Sequence, residues 1–305
     1  MTDLAIFYEH PAWFEPLFAA LDRRGFDWTR IHAGDHVFDT GPGAPPAPLI
    51  FNRIGMSAFL RETEHPIFYA RTLFEHWEAQ GARVVNGAAL DVDTSKGRQI
   101  SLIRRLGYGA PETRMVHRAA DLPRAAEGMR FPLLVKPDIG GSGAGIQRFD
   151  TPEELSDAVA AGTVYMGINS CALVQEHAPP RGGRIVRVET LNGRYLYACS
   201  VETGGFDLCL ADVCMIAPSK ASIQIEAVTP PAEVIAAAER IAQASQIDVG
   251  GVEYLVDDRD GTVKFYDINA LSNFVADPVR VLGFDPHDRL IDYLVEQIAA
   301  GKAAA

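Results

Sequence analysis

Two acidic residues, Glu253 and Asp267, flank a hairpin signal in VEYLVDDRDGTVKFYDIN. A three-residue turn, Arg259-Asp260-Gly261, puts glycine where a type I turn with a bulge needs positive φ. Counting outward from it, Asp258 faces Thr262 and Glu253 falls opposite Asp267, with Asn269 on the same face two residues on. Directly opposed carboxylates repel unless a cation lies between them. Two carboxylates and an amide oxygen suit Mg²⁺ or Mn²⁺ rather than zinc, and Mg²⁺ held by few protein oxygens usually shares a nucleotide's phosphates. The alternative is an ordinary acidic hairpin facing water. Against it, Val263 and Phe265 alternate onto the face of Asp267 and Asn269, so the acids continue an apolar side, and Lys264 and Tyr266 take the other face. A two-residue turn would slip the register by one and remove Glu253.

A second stretch complements these acids. Lys136-Pro-Asp-Ile-Gly-Gly-Ser-Gly-Ala-Gly-Ile146 fails the Walker A pattern and fails GxGxxG. Both motifs require a following helix, whereas a strand-like IQRF comes next. What remains is a flap between two strands, whose glycines let backbone N–H groups approach phosphate oxygens closely. Lys136, at the end of the preceding strand, would add a point charge to those phosphates. A surface hairpin beside a solvated lysine is the plainer alternative.

The elements that must hold these groups read as follows. The first third alternates strands (4–8, 28–38, 49–51, 84–85) with helices (13–21, closed by Gly25, and 66–80), which predicts parallel pairing through crossover helices. GPGAPPAP at 41–48 is a loop. FPLLVKP at 131–137 and ALVQE at 172–176 are strands, and Thr151 with Glu154 caps a helix over 152–161. A hairpin turns at Asn192-Gly193, a helix with Pro230 and Pro231 in its first turn spans 229–246, and an amphipathic helix spans 286–299.

Composition bounds the function. The 305 residues carry 28 Lys and Arg against 40 Asp and Glu, a net charge of −12, which argues against nucleic-acid binding. No apolar run reaches the roughly 18 residues of a membrane span, and the N-terminus has no basic region of a signal peptide. Four cysteines make no disulfide scaffold. Cys209 and Cys214 read as buried free thiols, and Cys171 and Cys199 as core. The expectation is a cytoplasmic protein with no nucleic-acid or membrane partner. His10 reads as a surface or capping residue, Tyr8 and Trp13 as core. Asn52, Arg53 and Ser57, at the end of a parallel strand, are substrate candidates whose competing role is to stabilise the turn.

Together these pieces resemble the ATP-grasp superfamily, specifically the RimK-type and glutathione-synthetase-like carboxylate-amine ligases, over about residues 49–299. FNRIGMS (51–57), VVNG (84–87) with Ser95-Lys96, PLLVKP with GGSGAGI, LVQEHA (173–178), and VEYL with YDIN carry the resemblance. It implies an α/β and α+β fold: an N-terminal parallel-sheet substrate domain (1–93), a central lobe with the glycine-rich loop (94–175) and a C-terminal lobe with the metal site (176–305), the two lobes sandwiching ATP. It implies that Lys96 and Lys136 contact ATP phosphates, that Gly141, Ser142 and Gly143 fold over them, and that Gln175 and Glu176 face the adenine. Arg187 would steady the transferring phosphoryl group, and Glu253, Asp267 and Asn269 would hold one or two Mg²⁺. The activity implied is ATP-dependent joining of a small carboxylate or peptide to an amine, by an enzyme that forms homo-oligomers.

The chain also departs from that pattern. GGFDLCLADVCMIAP at 204–218 contains no Arg or Asn, so Lys220 or Arg280 would have to supply the substrate-carboxylate clamp. Ile185 stands where an acidic ribose contact is expected, and Ala270-Leu-Ser-Asn-Phe274 lacks the glycines usual after the metal asparagine. A small-molecule kinase and a non-catalytic nucleotide-binding protein are the competing readings.

Overall fold

A computed structural model describes residues 2–61, 64–141, 143–202 and 225–304. Ser142, Cys209, Cys214, Lys220 and the departing segment 204–218 lie outside the described residues. The N-terminal part runs β1 (Leu4–Tyr8), α1 (Pro11–Arg23), β2 (Trp28–His32), β3 (Leu49–Arg53), α2 (Ile67–Ala79), β4 (Arg83–Val85). After α3 (Leu90–Asp93) and α4 (Lys96–Arg105) come β5 (Thr113–Val116), α5 (Leu122–Ala126), β6 (Leu133–Pro137), β7 (Gln147–Phe149), α6 (Pro152–Ala160) and β8 (Ala172–Glu176). The rest is β9 (Arg184–Leu191), β10 (Arg194–Glu202), β11 (Ile225–Ala227), α7 (Ala232–Ala244), β12 (Val249–Val256), β13 (Val263–Asn269), α8 (Pro278–Leu282) and α9 (Pro286–Ala304).

The first sheet has the order β2-β1-β3-β4 and is parallel throughout, as the alternation of strands and helices predicts. Strand β1 is buried on both faces because helices cover both. Ala5 and Phe7 pack with Leu73, Phe74 and Trp77 of α2, while Leu4, Ile6 and Tyr8 pack with α1 and with Leu290, Ile291 and Leu294 of α9. The expected extended stretch 28–38 is shorter, because β2 ends at His32 and a 3₁₀ turn over Ala33–Asp35 follows.

Two antiparallel sheets follow, ordered β5-β8-β6-β7 and β11-β10-β9-β12-β13. Thr151 accepts the amide of Glu154 at the head of α6, as the capping signal predicts. The β9–β10 hairpin turns at Asn192 and Gly193, whose φ values of 53° and 65° suit a tight two-residue turn. Helices α4 and α7 share one apolar cluster with β12 and β13, so α4 packs on the five-stranded sheet although it precedes β5 in the chain. Among the described residues no helix is long and apolar enough to cross a membrane.

One buried side chain joins the first sheet to the five-stranded one. Asn86 follows β4 at φ 57° and is fully buried. Its Nδ2 donates to the carbonyls of Val249 and Ala270, both at 2.7 Å. Its Oδ1 accepts the amides of Asp248 at 2.8 Å and Val249 at 3.2 Å. Asn52 Nδ2 in turn donates to the Asn86 carbonyl at 3.1 Å. Replacing Asn86 with alanine strands two amides and two carbonyls without partners, and alanine tolerates positive φ less well. The expected cost is about 2–4 kcal/mol, read as a lower urea midpoint at unchanged m-value. A midpoint equal to that of the unsubstituted protein would remove Asn86 from this role.

Candidate active site

The five-stranded sheet builds the site as a grid. Glu253 pairs with Arg187 on β9 and with Asp267 on β13; one step along, Gly251 pairs with Glu189 and with Asn269. The expected pairing of Glu253 with Asp267 is therefore present, but by another route. The ladder near the turn runs Val256↔Val263, Leu255↔Lys264 and Tyr254↔Phe265, and a bulge then skips Tyr266. The turn is longer than three residues, with Asp257 accepting the amide of Gly261 at 2.8 Å, and the bulge restores the register. This corrects the expected face. Phe265 and Ile268 both join the apolar cluster under α4 and α7, so the bulge turns Asp267 and Asn269 away from the apolar side rather than continuing it. Tyr266, expected on the opposite face, donates its hydroxyl to Glu253 Oε2 at 3.0 Å and lines the same cleft.

Helix α4 brings the first lysine. Ser95 caps it by accepting the Arg98 amide, and Asp138 accepts from Ser95 Oγ and the Gly97 amide, both at 2.9 Å. Gln99, one turn on, clamps the edge strand: its Nε2 donates to the Ile268 carbonyl at 2.9 Å and its Oε1 accepts the Ile268 amide at 3.2 Å. Strand β13 is thereby fixed between Asp267 and Asn269. Lys96 Nζ reaches Asp267 Oδ1 at 2.6 Å.

The second lysine comes from β6. Lys136 is 7% exposed, and its ammonium lies 5.7 Å from the Tyr266 ring centroid. Burial, aided by the nearby Lys96 charge, lowers it to about 8. The glycine-rich loop follows. Gly143 and Gly145 have φ of 70° and 71°, and Gly140, Gly141, Gly143, Ala144 and Ile146 line the cleft. A Cβ on Gly141 would lie 3.2 Å from that of Ser57, so the loop packs closely on the first sheet's turn.

Glu253 responds to its surroundings. Burial, with Asp267 opposite, raises Glu253 to about 7. Arg187 Nη1 is 3.4 Å from Glu253 Oε1, and Asn269 Nδ2 is also 3.4 Å from that oxygen. A third acid was not read from the sequence: Asp93 lines the cleft from the end of α3, and burial raises it to about 7 as well. Its signal was only its place three residues before Lys96. Among the described residues no three His, Cys, Asp or Glu side chains are grouped to hold a metal by themselves. Two opposed carboxylates, Glu253 buried and Asp267 partly so, with an adjacent amide still fit a hard divalent cation that takes its other ligands from phosphate and water. Asn269 must then present Oδ1 in place of Nδ2, a half-turn of its amide.

The remaining expected residues are distributed as follows. Ser57 lines the cleft. Arg53 is buried beneath it, between the Phe14 and Phe51 rings at 4.9 and 4.8 Å, and Nη2 donates to the Ser272 carbonyl and to Asn273 Oδ1. Asn52 stabilises the turn, accepting the Ile54 amide at 2.9 Å. Gln175 donates to Thr113 Oγ1 at 2.8 Å, and Glu176 accepts the Arg130 amide at 2.9 Å; neither lines this cleft. Arg280 is exposed on α8 and paired with Asp277 at 2.7 Å, away from the cleft. Trp13, expected in the core, is half-buried and lines the cleft instead, stacked on His10 at 4.7 Å and under the Arg61 guanidinium at 4.6 Å. Ile185 is core. Cys199 is buried and Cys171 half-buried.

The raised Glu253 fixes a sign for pH dependence. A carboxyl that keeps its proton to about pH 7 in the folded state, against about 4.3 unfolded, binds more protons when folded. Metal-free stability should fall as pH rises between those two values. Glu253→Gln should flatten that slope in thermal melts, and millimolar Mg²⁺ should raise the unsubstituted protein's melting temperature more at pH 8 than at pH 6. A slope unchanged by Glu253→Gln would assign it to other groups.

No protein-family model matches the sequence, and no curated protein matches it. Solved structures do match the fold. The ATP-grasp ligase PsnB, complexed with a phosphomimetic variant of a minimal precursor, Mg and ADP, superposes with a TM-score of 0.70 at 15% identity, covering 98% of this chain and 100% of that one. A RimK domain protein from Sphaerobacter thermophilus DSM 20745 gives 0.68 at 15% identity, covering 95% and 99%. D-alanine–D-alanine ligase from Bacillus anthracis, complexed with ATP, gives 0.68 at 15% identity, covering 100% and 99%. The parallel sheet, the two antiparallel sheets and these full-length superpositions together identify the chain as having the ATP-grasp fold.

Proposed function

We propose that this protein is an ATP-dependent ligase that joins a carboxylate to an amine and releases ADP and phosphate. The observation that carries the reading is convergence. Lys96, Lys136 and Arg187 meet Glu253 and Asp267 in one cleft, roofed by a glycine-rich loop, in a fold shared with ATP-grasp ligases. A carboxylate oxygen attacks the terminal phosphorus of ATP, and the bond to the bridging oxygen breaks, leaving ADP and an acyl phosphate. An amine then attacks the acyl carbon. Phosphate departs with its bonding electrons, and the amine loses a proton.

Each side chain has a task in that sequence. Lys96 and Lys136 neutralise phosphate charge, and the lowered Lys136 remains the more easily deprotonated of the two. Arg187 offers its guanidinium to the transferring group. Glu253, Asp267 and Asn269 would hold Mg²⁺, which would supply positive charge to the phosphates. Trp13, Met56, Ser57, Leu271 and Asn273 form the opposite wall of the cleft, where the carboxylate and amine would sit. That wall belongs to α1, to the turn after β3 and to the loop after β13. The carboxylate is that of a small acid or of a peptide; PsnB has been solved with a precursor peptide, which supports including peptides.

The test is ADP release with Mg-ATP and pooled amino acids, small carboxylates and acidic peptides, with and without hydroxylamine. The expected result is a hydroxamate that disappears in Asp267→Ala. ADP release with a phosphorylated product and no hydroxamate would assign a kinase in place of the ligase.

A further inference from the structure

Behind the cleft lies a buried carboxylate that the reaction above does not use. Glu189 is 2% exposed and lines no part of the cleft. Its Oε1 receives Arg187 Nε at 2.6 Å and Ser272 Oγ at 2.9 Å, while its Oε2 has no hydrogen-bond partner among the described residues. Burying a carboxylate without a cation costs several kcal/mol. Two guanidiniums supply the compensation. Arg187 is one, and the fully buried Arg53 is the other, tied to the same loop through Ser272 and Asn273 and feeling the Glu189 charge.

The grid explains why Glu189 can reach Arg187 along the strand. Arg187 and Glu189 are two residues apart on β9 and share a face. The position opposite Glu189 on β12 is Gly251, and a Cβ there would lie 2.5 Å from Arg187 Nε. The guanidinium therefore lies over the bare backbone of Gly251, pulled by Glu189, with Nη1 left 3.4 Å from Glu253. No positive φ requires glycine at 251; the requirement is room for the arginine.

We propose that Glu189 and Gly251 are positioning residues for Arg187: the carboxylate draws its guanidinium along β9, and the missing side chain lets it lie flat, so that its outer face meets the terminal phosphate. The inference rests on the ATP reading of the cleft. Its consequence is selective. On that reading Lys96 and Lys136 serve the phosphates that ADP and ATP share and Arg187 the terminal one, so disturbing Arg187 should weaken a triphosphate and spare a diphosphate.

The experiment titrates Mg-ADP and the non-hydrolysable Mg-AMPPNP into the full chain and into Glu189→Gln, Gly251→Ala, Arg187→Met and Arg187→Met/Glu189→Gln. Glutamine keeps the shape and acceptor oxygen but removes the charge; alanine adds only the Cβ. Glu189→Gln and Gly251→Ala should each lose about tenfold in AMPPNP affinity, equivalent to about 1.4 kcal/mol, with ADP affinity unchanged. The double variant should bind like Arg187→Met alone, since residues acting through one another are non-additive. An AMPPNP-to-ADP preference equal to that of the unsubstituted chain overturns the proposal. Parallel loss of both nucleotides also overturns it, because Glu189 would then serve only the fold. If the unsubstituted chain binds neither nucleotide, the ATP reading itself fails and this inference falls with it.

Discussion

Two carboxylates face each other across an antiparallel ladder, and most of the cleft can be understood as an answer to that opposition. Glu253 and Asp267 cannot both be ionised and desolvated at such a position without cations nearby. Lys96 meets Asp267, Arg187 approaches Glu253, and the Tyr266 hydroxyl donates to the free Glu253 oxygen. The groups that would serve a nucleotide's phosphates are thus also the groups that make the metal-free site tolerable. Binding of a nucleotide with a divalent cation would exchange one set of neutralising partners for another rather than create charge compensation from nothing.

That opposition has to be enforced by the backbone, since side chains left to themselves would separate. Three strands do so by register: Arg187, Glu253 and Asp267 form one row, and Glu189, Gly251 and Asn269 the next. The bulge at Tyr266 and the Gln99 clamp on Ile268 determine which face the acids take. Asn86 then locks the start of β12 and the residue after Asn269 to the first sheet. The phosphate end and the substrate wall are consequently parts of one hydrogen-bonded frame.

Much of this was legible in the sequence. The parallel sheet followed from alternation, the Asn192-Gly193 hairpin from turn chemistry, and the pairing of Glu253 with Asp267 from counting. The count reached the right pair with the wrong turn, because a longer turn and a bulge cancel, and nothing in a hydrophobic pattern announces a bulge. The same cancellation hid the face to which Tyr266 and the acids turn. Trp13 reads as core by composition, yet its ring lies at the cleft wall, because its burial depends on which loop comes to rest beside it. Asp93, Glu189 and the buried Arg53 could not be assigned from one sequence. Their roles depend on contacts between segments far apart in the chain, and their residue types lie mostly on solvated surfaces.

The packing of α9 has a consequence for synthesis. One face of the first sheet, through Leu4, Ile6 and Tyr8, is covered by Leu290, Ile291 and Leu294, residues near the opposite end of the described chain. Contacts at such separation become available to a growing chain only after everything between them has been made, and they are among the slowest to form afterwards. Until α9 arrives, the part of that face left uncovered by α1 stands open to water. The nascent protein therefore passes through an interval in which part of an apolar layer is exposed, and the length of that interval is set by translation as much as by folding.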